Sequence, residues 1–427
     1  MRLSSVRLII TGSEITNGYI QDTNTEFFAQ KLYSLGLSLS EVRIIPDDFN
    51  KVLQTIEELT NGQDLILMTG GLGPTNDDLT VDILAKVTGK KTVPDKFSTK
   101  KVKRLMEARK QDFENTSMQN RLFRQSRIIE GSHALKNPVG LAPGIFIPEL
   151  PLIALPGFPL EIKGLWPEVQ EIILKLAPPS QLTESIALWG VAESRLFESI
   201  DFPPELHAGV HALPYGTKLF LRCEQKNEQL LKENMLKVQN LFHNNIVENP
   251  LHAYIKYLEK NELTIGTVES CTGGLGGKII TDIPEVSSVY NGTIVTYHNN
   301  TKISCAGVQP ETINRYGAVS SQTAVEMAKG GLEKLDVDKC LSFTGIAGPG
   351  GGSEEKPVGT VYIAIADKRK KQAYVKRFFF PFGRERFRMA TAYAGFLSIF
   401  QKDVLFQEND NQWIENNASD KFEVVNL

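Results

Sequence analysis

Leu263-Thr264-Ile265-Gly266-Thr267-Val268 is a short β-prone run that predicts a buried strand. Leu275 to Ile280, mostly apolar and punctuated by glycine, predicts the opening of a helix. Between them lies Glu269-Ser270-Cys271-Thr272-Gly273-Gly274. A hydroxyl at a strand-to-helix turn, with glycines just behind it, is well placed for a nucleophile. The turn exposes Ser270 Oγ, and the glycines let backbone N–H groups face a developing oxyanion or a phosphate. On the hexapeptide alone the commoner reading is plainer, an N-cap at Ser270 or Thr272 after a tight turn.

The same alternation of strand and helix runs through the first part of the chain. Val6 to Ile10 predicts a strand ending at Thr11-Gly12-Ser13-Glu14. Asp22-Thr23-Asn24-Thr25 caps a helical pattern of Phe27, Phe28, Leu32 and Leu35, closed by Gly36. Val42 to Ile45 predicts a second strand, Val52, Ile56 and Leu59 a second helix, and Asp64 to Met68 a third strand. Such alternation implies a mostly parallel sheet covered on both faces, with ligands at the carboxyl ends of its strands. Three loops sit at such ends: Thr11 to Gly18, Pro46 to Asp48, and Gly70 to Asp78. Leu152 to Leu155 running into Pro156-Gly157-Phe158-Pro159 supplies a fourth. In the third loop Gly70, Gly71 and Gly73 bring backbone close to a ligand, and Asp77-Asp78 can hold a divalent cation or cap the next helix. Spacing alone does not separate those two roles.

The composition bounds the function. A chain of 427 residues with 41% hydrophobic and 23% charged residues has material for two or three cores. A net charge of −3 gives no global field for nucleic acid or an anionic membrane. The basic stretch Lys90 to Lys110 reads as a solvated helix face, since only Phe97 offers a base a stacking surface. Cys223, Cys271, Cys305 and Cys340 form no C-x-x-C pair, which fits a reducing compartment and argues against a zinc knuckle. Neither a membrane-spanning run nor a signal-peptide core is seen, so a cytoplasmic location is expected. Composition shifts near Ala177-Pro178-Pro179-Ser180, and residues after Phe406 are polar and weakly patterned. In the last third, Thr293 to Tyr297 predicts a strand leading to His298-Asn299-Asn300-Thr301-Lys302. Cys340 to Phe343 predicts another, leading to Thr344-Gly345-Ile346-Ala347-Gly348-Pro349.

Taken together these motifs resemble one family. Thr11 to Glu14, Gly70 to Thr80 and Leu155 to Pro159 are similar to the molybdenum-cofactor-biosynthesis-like (molybdopterin-binding-like) domain of CinA proteins. Glu269 to Gly274, Tyr316-Gly317-Ala318-Val319-Ser320, Thr344 to Pro349 and Lys356-Pro357-Val358-Gly359-Thr360 resemble the CinA carboxyl-terminal domain. The fold class implied is α/β: a three-layer domain over 1–176, a small α+β connector over 177–248, and a carboxyl-terminal α/β domain over 249–402. A flexible tail is expected over 403–427.

The resemblance implies hydrolysis of the carboxamide of nicotinamide mononucleotide (NMN) to nicotinate mononucleotide and ammonia, in pyridine-nucleotide salvage and without a cofactor. It puts the nucleophile at Ser270, with Lys302 as base and Tyr297 beside them to relay or stabilise a proton. It puts Cys271, Thr272, Gly273, Gly274, Thr344, Gly345 and Arg384 around the substrate, with Arg384 suited to the nucleotide phosphate. For the first domain it implies a pocket built from Glu14, Gly70, Gly71, Gly73 and Thr75. ADP-ribose pyrophosphatase activity there, with a divalent metal (Mg or Co) at Asp77 and Asp78, is the alternative. Where the family pattern has Gly-Asp-Glu, this chain has Gly12-Ser13-Glu14, one carboxyl fewer. A homodimer is also implied. The remaining alternative is a non-enzymatic competence or DNA-damage accessory protein, supported only by the basic stretch.

Overall fold

The computed structural model describes residues 5–60, 64–108, 116–178, 181–406 and 422–427. Two compact units divide the chain, one of residues 1–184 with 222–229, the other of 185–221 with 230–427.

In the first unit the strands are β1 (Val6–Thr11), β2 (Leu39–Ile45), β3 (Leu65–Thr69), β4 (Thr92–Pro94), β5 (Arg127–Ile129), β6 (His133–Leu135), β7 (Gly144–Ile147) and β8 (Leu152–Leu155). Six of them form a sheet in the order β2-β1-β3-β8-β7-β6, and β4 pairs with β5 separately. The sheet is parallel from β2 to β8 and antiparallel through β7 and β6. Period-two alternation divides its side chains between two cores. Leu8, Ile10, Leu65 and Leu67 face one way, against Phe28, Leu32, Leu165 and Val169 of helices Asn24–Ser34 and Pro159–Leu176. Ile9, Ile66 and Met68 face the other, against Val52, Ile56, Ile83 and Leu84 of helices Phe49–Leu59 and Thr80–Thr88. Asp48 caps the third of these helices by accepting the Lys51 amide at 2.9 Å.

Strands β9 (Gln181–Trp189), β10 (His207–Leu213) and β11 (Gly216–Glu224) form a small sheet in the order β10-β11-β9. Arg222 belongs to the first unit. Its guanidinium lies 3.8 Å from the Tyr33 ring centre and donates to Ser38 Oγ and to the carbonyls of Tyr33 and Leu37.

The second unit is built on β12 (Ile265–Glu269), β13 (Tyr290–Val295), β14 (Lys339–Gly345), β15 (Thr360–Asp367), β16 (Gln372–Phe379) and β17 (Glu423–Asn426), in the order β13-β12-β14-β15-β16-β17. The first three are parallel and the rest antiparallel. Helices Pro250–Lys260 and Arg384–Phe400 cover one face through Tyr254, Leu258, Phe387 and Phe396. Helix Ser321–Leu335 covers the other through Ala324, Met327, Ala328 and Leu332. Its Gly330 lets helix Asn299–Ala306 come close, since a Cβ there would sit 1.7 Å from the Ala306 carbonyl oxygen.

The first sheet is thus mostly parallel, as expected, with two antiparallel strands added at one side, whereas the second is mixed, its parallel strands extended by three antiparallel ones. The expectation of a flexible tail from residue 403 needs correction at both ends. Asp403 is buried, and Glu423–Asn426 pairs with β16 as the edge strand, anchored by the buried Phe422. Residues 407–421 of that stretch lie outside the described residues. Among the described residues no helix is long and apolar enough to cross a membrane.

Candidate active site

Strand β12 lies between β13 and β14, and Glu269 pairs with Val295 on one side and Phe343 on the other. The three carboxyl ends therefore lie side by side, where an α/β sheet commonly places its ligand. Ser270 follows β12, Thr296 to His298 follow β13, and the loop after Gly345 follows β14.

Ser270 is buried, and its amide donates to the Phe343 carbonyl at 2.9 Å. Lys302 lies on helix Asn299–Ala306, whose N-cap, His298, accepts the Asn300 amide at 3.2 Å. Only Lys302 and Ala306 of this helix are buried. The Lys302 Nζ donates to Ser270 Oγ at 2.8 Å and to the Thr296 carbonyl at 2.9 Å. Neither partner is an anion. Burial therefore pushes the Lys302 amine below its ordinary value of 10.5, with Cys271 opposing weakly. A neutral amine in hydrogen-bond reach of a hydroxyl can take its proton.

Cys271 is also buried, and burial pushes its thiol up to about 12. At neutral pH it is a protonated packing group.

The turn itself differs from its expected use. Glu269 is fully buried, and its carboxylate accepts the amides of Gly274 (2.9 Å), Gly276 (3.1 Å) and Gly277 (2.7 Å). The Gly273 amide donates to the Ser270 carbonyl at 3.2 Å. The amides of Gly273 and Gly274, expected to face an oxyanion or phosphate, are thus occupied internally. Of the turn's other amides, those of Cys271 and Thr272 lie against the Cys271 sulfur. Thr272 is buried with its hydroxyl oxygen lacking a partner among the described residues.

Tyr297 is 62% exposed, and its hydroxyl accepts from Arg384 Nη2 at 2.8 Å instead of meeting Ser270. Arg384 also donates to the Gly348 carbonyl at 2.8 Å. A cation on the first turn of a helix opposes the dipole, so this arginine is not placed there for helix stability. Thr344 is buried and donates to the Ala318 carbonyl at 2.6 Å, holding the Tyr316 to Ser320 loop to the end of β14. Gly345 lets that end pass β15, since a Cβ there would lie 2.7 Å from Val361 Cβ.

Sequence reasoning missed three contributors. Glu269 holds the turn, the Thr296 carbonyl aims Lys302, and Arg388 donates from Nε and Nη2 to the Thr272 carbonyl at 3.1 and 2.6 Å. The available signals were an acid ending an otherwise apolar strand, and the spacing of four between Arg384 and Arg388, which puts both on one helix face.

In the first unit all four predicted loops line one cleft of 740 Å³, which includes Glu14, Gly70, Gly71, Gly73, Thr75, Asp77 and Asp78. A Cβ on Gly70 would lie 2.4 Å from the Thr11 carbonyl oxygen, and its φ is 103°. Asp78 commits both carboxylate oxygens to the loop, accepting from the Gly73 and Thr75 amides at 2.8 and 2.7 Å. Asp77 is exposed. Among the described residues no three His, Cys, Asp or Glu side chains come together as a metal-binding group. The cleft is lined by six carboxyl side chains and, among the described residues, no Lys, Arg or His, so any anionic ligand would bring its own cations. In the basic stretch Lys101 points inward, donating to the carbonyls of Asn137 and Gly140 at 2.9 and 2.6 Å, and Lys90 pairs with Glu149.

Comparison with known proteins agrees with both halves. Residues 7–175 match the family model "Probable molybdopterin binding domain" and residues 248–402 match "CinA C-terminal domain". The chain is 34% identical to a CinA-like protein of Leptospira interrogans, across 92% of this chain and 97% of that one. It is 32% identical to a CinA-like protein of Thermosipho melanesiensis, across 91% and 97%. A solved structure, competence/damage inducible protein CihA from Agrobacterium tumefaciens, is 37% identical over 35% of this chain and 91% of that chain, with a TM-score of 0.33. The chain belongs to the CinA family.

Proposed function

We propose that the second unit hydrolyses the carboxamide of NMN, releasing ammonia and nicotinate mononucleotide. The observation that carries this reading is the 2.8 Å hydrogen bond from a buried, anion-free lysine to a buried serine hydroxyl. Amide hydrolysis needs an activated nucleophile, stabilisation of an oxyanion and a proton for the departing amine. In the first half-reaction Lys302 Nζ takes the Ser270 proton as Oγ bonds to the carboxamide carbon. The carbonyl oxygen gains the negative charge, near the Cys271 and Thr272 amides. Collapse breaks the C–N bond, and the proton held on Lys302 passes to the leaving nitrogen, giving ammonia and an ester on Ser270. Water then attacks that ester with the same lysine as base, freeing the carboxylate and restoring the serine. Arg384, held by Gly348 and Tyr297 at the rim, suits the nucleotide phosphate. Tyr297, bonded to that arginine, is read as a rim residue.

Ammonia release from NMN by the wild type and by Ser270→Ala tests the reading. Activity is expected in the first and a loss of at least ~10³-fold in the second. Equal rates would remove Ser270 from the mechanism.

The first unit is read as a small-molecule pocket at the carboxyl ends of β1, β3 and β8, without an assigned reaction. The Asp77–Asp78 pair does not suit a metal site as arranged, because Asp78 is engaged in holding its own loop.

A further inference from the structure

Glu269 stands at the end of β12, next to Ser270 in the chain and linked to Lys302 through Thr296. Its side chain gathers the amides of Gly274, Gly276 and Gly277, with Thr267 Oγ1 at 3.2 Å and Thr293 Oγ1 at 3.5 Å. Every one of these contacts is a donor, as an acceptor-only carboxylate requires. Its main chain acts on the other half. The Glu269 carbonyl accepts the Thr296 amide at 2.7 Å, and the Thr296 carbonyl accepts Lys302 Nζ. The glycines beside the carboxylate are packed closely against it and its neighbour Thr293. A Cβ on Gly276 would lie 2.9 Å from Glu269 Oε1, and one on Gly277 would lie 2.3 Å from Thr293 Oγ1.

A buried carboxylate without a basic partner is expensive unless fully hydrogen-bonded. Here it replaces any bound anion at the start of the glycine turn. We infer that Glu269 is a positioning residue, an internal anion that fixes the Ser270 turn through its side chain and the Lys302 aim through its main chain. The inference rests on the deamidase reading for its assay.

The test is Glu269→Gln, which puts an NH₂ group against backbone N–H donors and so shifts the turn. A displacement near 1 Å costs about 10²-fold in turnover. The expected result is a fall of about 10²-fold in kcat for NMN. KM and inhibition by nicotinate mononucleotide should stay within about threefold, because Arg384 is untouched. Labelling of Ser270 by a fluorophosphonate should slow in parallel with kcat. Glu269→Asp, which keeps an acceptor-only group, should recover part of both. Should Glu269→Gln not fold, Gly276→Ala carries the test, because its new methyl displaces the same carboxylate from the other side. An unchanged kcat would overturn the inference. So would a loss of kcat matched by KM, since that pattern marks general distortion. If wild type fails to deamidate NMN but its Ser270 labelling still depends on Glu269, the substrate reading fails and this inference stands. If wild type deamidates NMN and the Glu269→Gln protein equals it, the inference fails and the reading stands.

Discussion

Lys302 carries an amine into an interior where its partners are a hydroxyl and a carbonyl. Burial lowers its pKa from 10.5, and the consequence for activity has a definite sign. Below that folded pKa the amine is protonated and cannot accept the Ser270 proton. The rate should therefore rise with pH as the amine loses its proton and level off before pH 10.5. A plateau reached only above that value in a kcat/KM profile would contradict the assignment of the base. The neighbouring thiol gives a second prediction. Cys271, pushed up to about 12, has almost no thiolate at neutral pH. Cys271→Ala should keep kcat within about fivefold of wild type, whereas a thiol nucleophile would lose nearly everything. Of these residues, Ser270 was singled out by its turn, which a plain N-cap would explain equally well, so its proposed role also leaned on resemblance. Lys302, 32 positions away on another element, was legible only through resemblance, because no local spacing relates the two. Glu269 was missed because sequence shows an acid beside a hydroxyl but not that backbone amides surround it.

Among the elements, the antiparallel half of the second sheet shows what local pattern leaves out. The strands β12 and β14 announced themselves as short apolar runs before glycine-rich loops. Gln372–Phe379 and Glu423–Asn426 did not, since strands at and next to a sheet edge, with charged or exposed positions, have neither continuous hydrophobicity nor a turn signal. What holds this end together is a buried ion cluster. Lys339 Nζ meets Asp367 at 2.5 Å and Asp403 at 3.2 Å, Lys402 meets Asp403 at 3.0 Å, and Tyr254 donates to Asp403 at 2.8 Å. Burial raises the Asp367 pKa, but the charge and hydrogen bond of Lys339 more than offset it, leaving the carboxyl below its ordinary 3.8. Such a depressed carboxyl stabilises the fold above its unfolded pKa, and that contribution is lost as pH falls through the folded value. Asp367→Asn leaves two buried lysines facing one aspartate and should cost about 3–5 kcal/mol in urea unfolding at pH 7. The gap between variant and wild type should shrink below pH 3.8. A gap constant with pH would show that the cluster's charge is not what stabilises it.

At the scale of the whole molecule, two compact units carry two separate sets of strand-end loops, each around its own cores. The alternation that predicted the first unit came from periodicity, and its four loops proved to share a cleft. The use of Asp78 did not follow from spacing, because capping and metal binding ask for the same residue before a helix. Asp77→Ala, in the first unit, should leave ammonia release from NMN within about twofold of wild type, as measured by a coupled ammonia assay. A large loss would mean that the second unit's chemistry depends on the first. The most direct measurement is a double-mutant cycle on that same ammonia release, with Ser270→Ala, Lys302→Met and the two combined. A serine and lysine working as one unit predict a loss of at least ~10³-fold in each single variant and no further loss in the double. Losses that multiply, or a wild-type rate in either single variant, would contradict it.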